Sequence, residues 1–147
     1  MATSDEKLAK KQAIELLNEA LRLQYRSALQ FTLTSGSLFG FEVQAIGDRL
    51  WTYAQDEIAD ARLLVEKVVA LGGSPSTDVA ELCWNGAAED AVAWLIETEE
   101  EAIDALQGAI EPTGREGRSE ALEHMLEHLI MRKQNQVDFL LRSRRTS

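Results

Sequence analysis

Several residue types are scarce in this chain of 147 residues, and each scarcity excludes a class of protein. The single cysteine, Cys83, rules out an internal disulfide framework and suits a reducing compartment, so we expect a cytoplasmic protein. No run reaches the roughly 18 apolar residues of a membrane span. A net charge of −10 lacks the basic footprint that nucleic-acid binding requires. Both prolines lie between periodic segments and no strand pattern appears, which predicts an all-α class.

The apolar periodicity predicts four helices within one domain, 1–147. They span about residues 5–38, 41–71, 87–110 and 119–142. Short turns make the first and second helices, and the third and fourth, antiparallel hairpins. The segment 73–86 is longer, and its residues extend to about 46 Å, roughly the length of the second helix. We therefore expect an antiparallel four-helix bundle of two helical hairpins joined by a long crossover.

Polar side chains interrupt the apolar stripe of every predicted helix. Steps of three and four residues place them on the buried faces. The six are Gln24, Glu57, Asp60, Glu99, Lys133 and Gln136. Buried charge is costly unless it is paired or bound to metal, so this set is the candidate functional site. In di-iron bundles, two helices supply one Glu each and the other two supply Glu-x-x-His, which is close to this pattern.

These motifs resemble those of the bacterioferritin and ferritin-like family. Leu17-Asn18-x-x-Leu21-x-x-Gln24 is similar to its first-helix motif, Asp56-Glu57-Ile58-Ala59-Asp60-Ala61 to its second, and Leu71-Gly72-Gly73-Ser74-Pro75 to the exit from that helix. By this resemblance Glu57 is a bridging carboxylate, Glu99 a third-helix ligand, and Lys133-x-x-Gln136 stands at the fourth-helix Glu-x-x-His. The resemblance implies a ferritin-like fold and an iron-handling lineage with ferroxidase activity.

The departures from the family pattern predict an impaired ferroxidase centre. Gln24 and Gln136 are neutral, Asp60 is a shorter ligand where His is usual, and Lys133 brings a cation to a carboxylate position. Ile58 stands where the family's haem-binding methionine would be, so we expect no haem. The hypotheses left open are weak or mononuclear metal binding, a metal-free structural or interaction bundle, and an active iron-storage protein with an atypical site.

Charge counting keeps metal binding among these hypotheses. Three carboxylates and one ammonium sum to −2, which protons, water or a divalent cation must relieve. With no His or Cys in the set, the ligands are oxygens, which favours Mg²⁺, Ca²⁺ or Mn²⁺, with Fe²⁺ also a candidate. The alternative is an ion-pair network in which Lys133 replaces the metals.

Features outside the site predict the assembly. A second apolar row on the second helix, formed by Trp51, Ala54, Ile58, Ala61 and Val65, indicates a homodimer interface. The short polar tail 142–147 predicts no fifth helix, and hence no cage built around one. His124 and His128 lie off the buried stripe and are expected to be an exposed pair. The sequence does not identify which protein, beyond a second copy of the chain, would be a partner.

Overall fold

The computed structural model describes residues 4–113 and 119–144, and their side chains over 10–41, 43–110 and 121–144. Its helices are α1 (Ser4–Ser37), α2 (Phe41–Ala70), α3 (Ala88–Thr113) and α4 (Ser119–Ser143). No strand occurs in these ranges, so the all-α prediction is confirmed. None of the helices there is long and apolar enough to cross a membrane. Residues 145–147 of the basic tail lie outside the described part.

The predicted bounds agree to within one residue except at the end of α3. That helix passes Ile110, its expected last residue, and ends at Thr113. Pro112 lies in the last turn of α3, so the hydrogen bond that its missing N–H cannot donate is lost only at the end of the helix. Gly114, the other expected stop, lies outside the described residues.

The helices form the predicted four-helix bundle. α1 packs against α2 and α3, and α4 packs against α3 and, over a smaller contact, against α2. The core combines leucines at helical spacing and Phe31 with smaller alanine, valine and isoleucine side chains. Its leucines include Leu17 and Leu21 of α1, Leu50 and Leu64 of α2, Leu95 and Leu106 of α3, and Leu126 and Leu129 of α4. Each helix thus buries one apolar stripe, and the polar members of that stripe are buried with it.

The glycine pair after α2 ends that helix and starts the crossover. Gly72 has a φ of +88°, a conformation that costs glycine little. Its N–H donates to Val69 O at 2.9 Å, and the Gly73 N–H donates to Val68 O at 2.9 Å. This pairing is a Schellman motif, which satisfies carbonyls that the helix end leaves without partners.

The crossover runs along α1 for most of the length of the bundle. Asn18 holds its beginning through Ser74 O and the Ser76 N–H. The Ala80 N–H donates to Arg22 O at 3.2 Å. Further along, Gln30 exchanges two hydrogen bonds with the Cys83 backbone, at 2.5 and 3.1 Å. Trp84 Nε1 donates to Ser37 Oγ at 2.8 Å at the far end of α1. The connection therefore spans from one end of the bundle to the other, as its length predicted.

Candidate metal centre

All six predicted site residues are buried in the middle of the bundle. Each is at most 2% exposed: Gln24 on α1, Glu57 and Asp60 on α2, Glu99 on α3, and Lys133 and Gln136 on α4. Hydrogen bonds join Gln24, Glu57, Glu99 and Lys133 into one network. The spacing in the four stripes therefore identified four residues that the fold joins directly. Asp60 pairs elsewhere, and neither side-chain polar atom of Gln136 has a hydrogen-bond partner among the described residues.

Lys133 lies between the two central carboxylates. Its Nζ donates to Glu57 Oε2 at 2.8 Å, to Glu99 Oε2 at 3.2 Å and to Ser27 Oγ at 3.2 Å. A lysine ammonium carries three N–H donors, and three acceptors are present here. The two ion pairs are almost fully shielded from water, with side-chain exposures of 1% and 0%. The ammonium thus balances one of the two negative charges that Glu57 and Glu99 carry when both are ionised.

Gln24 completes the network from α1. Its Nε2 donates to Glu57 Oε2 and, at 2.9 Å, to the Glu57 carbonyl oxygen. Glu57 Oε2 therefore accepts from both Gln24 and Lys133. A carboxylate at position 24 would have met this same oxygen with a like charge. The neutral amide turns that contact into a hydrogen bond.

Asp60 is paired separately, toward the surface. Arg132 Nε lies 3.2 Å from Asp60 Oδ2, with side-chain exposures of 34% and 3%. The contact is close enough for an ion pair, although neither atom meets the angular criteria of a hydrogen bond. With Arg132 included, three carboxylates and two cations sum to −1 if all are ionised. The buried charge to be relieved is thus one smaller than the sequence alone indicated.

Burial and neighbouring charges shift the pKa of three of these groups. Burial raises the pKa of Glu99 to about 7, and Glu57 adds to the rise while Lys133 opposes it. Burial likewise raises the pKa of Asp60 to about 6, with Glu57 adding and Arg132 opposing. Burial acts to lower the pKa of Lys133, but Glu57 and Glu99 outweigh it and raise that pKa above its ordinary value. One proton on Glu99 or Asp60 would bring the charge sum to zero.

Several buried oxygens have no hydrogen-bond partner among the described residues. They are Gln24 Oε1, Glu57 Oε1, Glu99 Oε1, Gln136 Oε1 and Asp60 Oδ2, the last of which is ion-paired with Arg132. Within the same residues, no three His, Cys, Asp or Glu side chains are grouped so that they could hold a metal ion. The site therefore offers lone pairs, but its carboxylates are held by cations and not arranged as a ligand cage.

Tyr53, His124 and His128 do not belong to the buried network. Tyr53 packs edge-on against Phe31 and Phe139, at centroid distances of 5.6 and 5.7 Å. His124 and His128 are exposed, as expected from their place off the stripe. They lie apart from the buried network.

The sequence patterns did not identify two residues that contact members of the site. Ser27 follows Gln24 by three residues on the same face of α1, so helical spacing could have found it. Arg132 lies at the flank of the α4 stripe, and no sequence pattern pairs it with Asp60. Only the packing of α4 beside α2 brings these two together.

The comparisons with known proteins identify the family and the fold of the chain. The family described as "Ferritin-like domain" matches residues 14–143. The chain therefore belongs to the ferritin-like domain family. It superposes on a ferritin-like, diiron-carboxylate protein from Bacillus anthracis str. Ames, with a TM-score of 0.86 and 23% identity over 96% of this chain and 98% of that one. It also superposes on the Desulfovibrio desulfuricans bacterioferritin, with a TM-score of 0.85 and 20% identity over 96% and 82%. The comparison with curated proteins finds no match.

Proposed function

We propose that this chain is a ferritin-like protein of iron-handling lineage whose own centre does not oxidise iron efficiently. The observation that carries the proposal is the place of Lys133, whose ammonium bridges Glu57 and Glu99 at 2.8 and 3.2 Å. An ammonium has no lone pair to give to a metal, and it occupies the carboxylate oxygens that a bridged pair of irons would need. In this proposal Lys133 replaces the metals as the positive charge of the core.

The energetics of Lys133 support this proposal. For its nitrogen to bind a metal, the ammonium must first lose a proton. Burial acts to lower its pKa, but Glu57 and Glu99 outweigh burial and raise it above the ordinary value of a lysine, so the ammonium keeps its proton at neutral pH. Moving the charged side chain aside instead would break two buried ion pairs. Either route reduces the affinity of the site for iron.

The test compares iron oxidation in the parent chain and in a Lys133→Glu variant. Each protein is loaded with Fe²⁺ under anaerobic conditions and then mixed with oxygenated buffer in a stopped-flow instrument. We expect the parent to oxidise Fe²⁺ no faster than protein-free buffer does. Lys133→Glu restores a carboxylate and should raise the Fe²⁺ bound per chain, measured by equilibrium dialysis. Lys11→Glu, at an exposed residue of α1, is the matched charge control. Fast, stoichiometric oxidation by the parent would overturn the proposal and favour an active storage protein.

A second candidate function is weak binding of one divalent cation. Gln24, Glu57 and Glu99 each have a buried oxygen with no hydrogen-bond partner in the described part of the chain, and the lone pairs of these oxygens favour this function. An all-oxygen set suits Mg²⁺, Ca²⁺, Mn²⁺ or Fe²⁺. Elemental analysis of the purified protein after equilibrium dialysis against each of the four cations separates the candidates. One metal ion per chain would support this function, whereas a content well below that supports the metal-free bundle.

We also propose that the chain forms a homodimer through α2. Trp51 and Ile58 are 49% and 55% exposed, which leaves two large apolar side chains in water on one face of that helix. Ala54 and Ala61 of the same row are buried in the bundle, so the surface is narrower than the five-residue row suggested. A self-complementary contact about a two-fold axis covers such a surface in both copies at once.

A further inference from the structure

A groove between α2 and the end of α4 is separate from the buried centre. α2 and α4 contact each other less extensively than the other neighbouring helices do, so the bundle opens between them. Two adjoining cavities of about 480 and 610 Å³ lie there, and they share Arg49, Phe139 and Arg142 as lining residues. These volumes fall in the range of small-ligand sites.

The groove has an apolar half and a polar half. Ala45, Ile46 and the Phe139 ring line the first. Tyr53 and Asn135 line the second, together with the two arginines. A ligand that fills both halves must therefore combine an apolar body with a polar head.

The two guanidinium groups determine the charge of that head. In a chain of net charge −10, neither Arg49 nor Arg142 forms an ion pair with any described residue. The Arg49 guanidinium lies 5.2 Å from the centre of the Phe139 ring, a cation–π contact that holds it over the floor of the groove. Asp138 is the one carboxylate in the lining of the two cavities. Among the lining residues two cations face one anion, and Asp56, which acts on Tyr53 from outside the lining, offsets part of this positive charge.

We infer that this groove binds a small amphiphilic anion, such as an aryl or alkyl carboxylate. The carboxylate lies between Arg49 and Arg142, where the Asn135 amide and the Tyr53 hydroxyl provide further donors. The apolar body lies along Phe139, Ile46 and Ala45. Asp138 repels the same head group, so it limits the affinity and favours a ligand with a single negative charge. This inference does not depend on whether the buried centre binds metal.

Isothermal titration calorimetry of the full chain with 3-phenylpropionate tests the inference. We expect saturable binding with a stoichiometry of one per chain and an affinity that falls with added salt. Arg49→Gln and Arg142→Gln should each weaken binding about tenfold, because each removes a hydrogen bond to a charged group. Asp138→Asn should tighten binding, because it removes the carboxylate that repels the head group. General destabilisation of the fold would weaken binding and could not produce this result.

The controls separately test the charge of the ligand, its apolar body and the location of the binding site. Arg62→Gln, at an exposed arginine of α2 paired with Glu66, should leave the affinity unchanged. The uncharged 3-phenylpropionamide should bind at least tenfold more weakly. Inorganic phosphate that bound as tightly as 3-phenylpropionate would overturn the role of the apolar half. Absence of saturable binding, or equal effects of Arg62→Gln and Arg142→Gln, would overturn the inference as a whole.

Discussion

Replacing Lys133 by methionine tests whether its charge holds the core together. Methionine fills nearly the same space, so the change removes the ammonium and leaves Glu57 and Glu99 buried without their shared cation. Breaking a buried ion pair by removing one partner costs about 3–5 kcal/mol. At about 2–4 °C for each kcal/mol in a chain of this size, we expect a Tm lower by about 6–20 °C at neutral pH.

The pH dependence makes this prediction specific. The pKa of Glu99 is raised to about 7 from an ordinary 4.5, so between these values the folded chain holds its proton more firmly than the unfolded chain. Stability therefore falls as the pH rises through this window. Lys133→Met removes the attraction that opposes the rise, so the pKa of Glu99 should increase further and the window should extend above pH 7. The variant should thus lose much less stability at pH 5 than at pH 8.

Urea unfolding followed by circular dichroism at pH 5, 7 and 8 measures this difference. Lys11→Met, at an exposed lysine, controls for the loss of a surface charge. The double variant Lys133→Met/Glu99→Gln should recover part of the lost stability, because it removes one of the uncompensated carboxylates. If Lys133→Met melts within two degrees of the parent at pH 8, or if its loss is the same at pH 5, Lys133 does not compensate the buried charge.

Three further predictions concern the rest of the bundle. The pKa of Asp60 is raised to about 6 from 3.8, so the stability of the parent relative to Asp60→Asn should fall as the pH rises from about 4 to 6. If urea titrations give the same stability difference between the two proteins at every pH, this prediction is wrong. Ile58→Asp should shift the light-scattering mass from twice the chain mass toward one chain, whereas Gln107→Asp, at an exposed residue of α3, should not. A larger assembly of the parent would argue against the dimer. Gly72→Ala should destabilise the fold by about 1 kcal/mol because Gly72 has a positive φ, whereas Gly108→Ala, at an open helical site, should stabilise it by about 0.5–1 kcal/mol. Melting curves in which both variants raise or both lower the Tm would refute this reasoning.

The sequence by itself determined the helices, their pairing and the members of the buried site. Apolar periodicity and turn glycines are local signals, so helix bounds could be predicted to within a residue at most ends. The six polar side chains were also predictable, because a charge within an apolar stripe is buried whenever that stripe is. The length of the 73–86 segment fixed the crossover, since only a chain of about that reach can return along a 30-residue helix.

Only the tertiary structure decided how these side chains pair. Lys133 could have paired with any carboxylate in the core. Its contacts with Glu57, Glu99 and Ser27 depend on how the four helices are positioned along and against one another. The Arg132–Asp60 pair and the groove around Arg49 and Arg142 join residues on α2 and α4 whose relation no local pattern encodes. Ion-pair partners depend on distances of a few ångströms across helices, because attraction falls with separation, whereas periodicity specifies only which face a residue occupies.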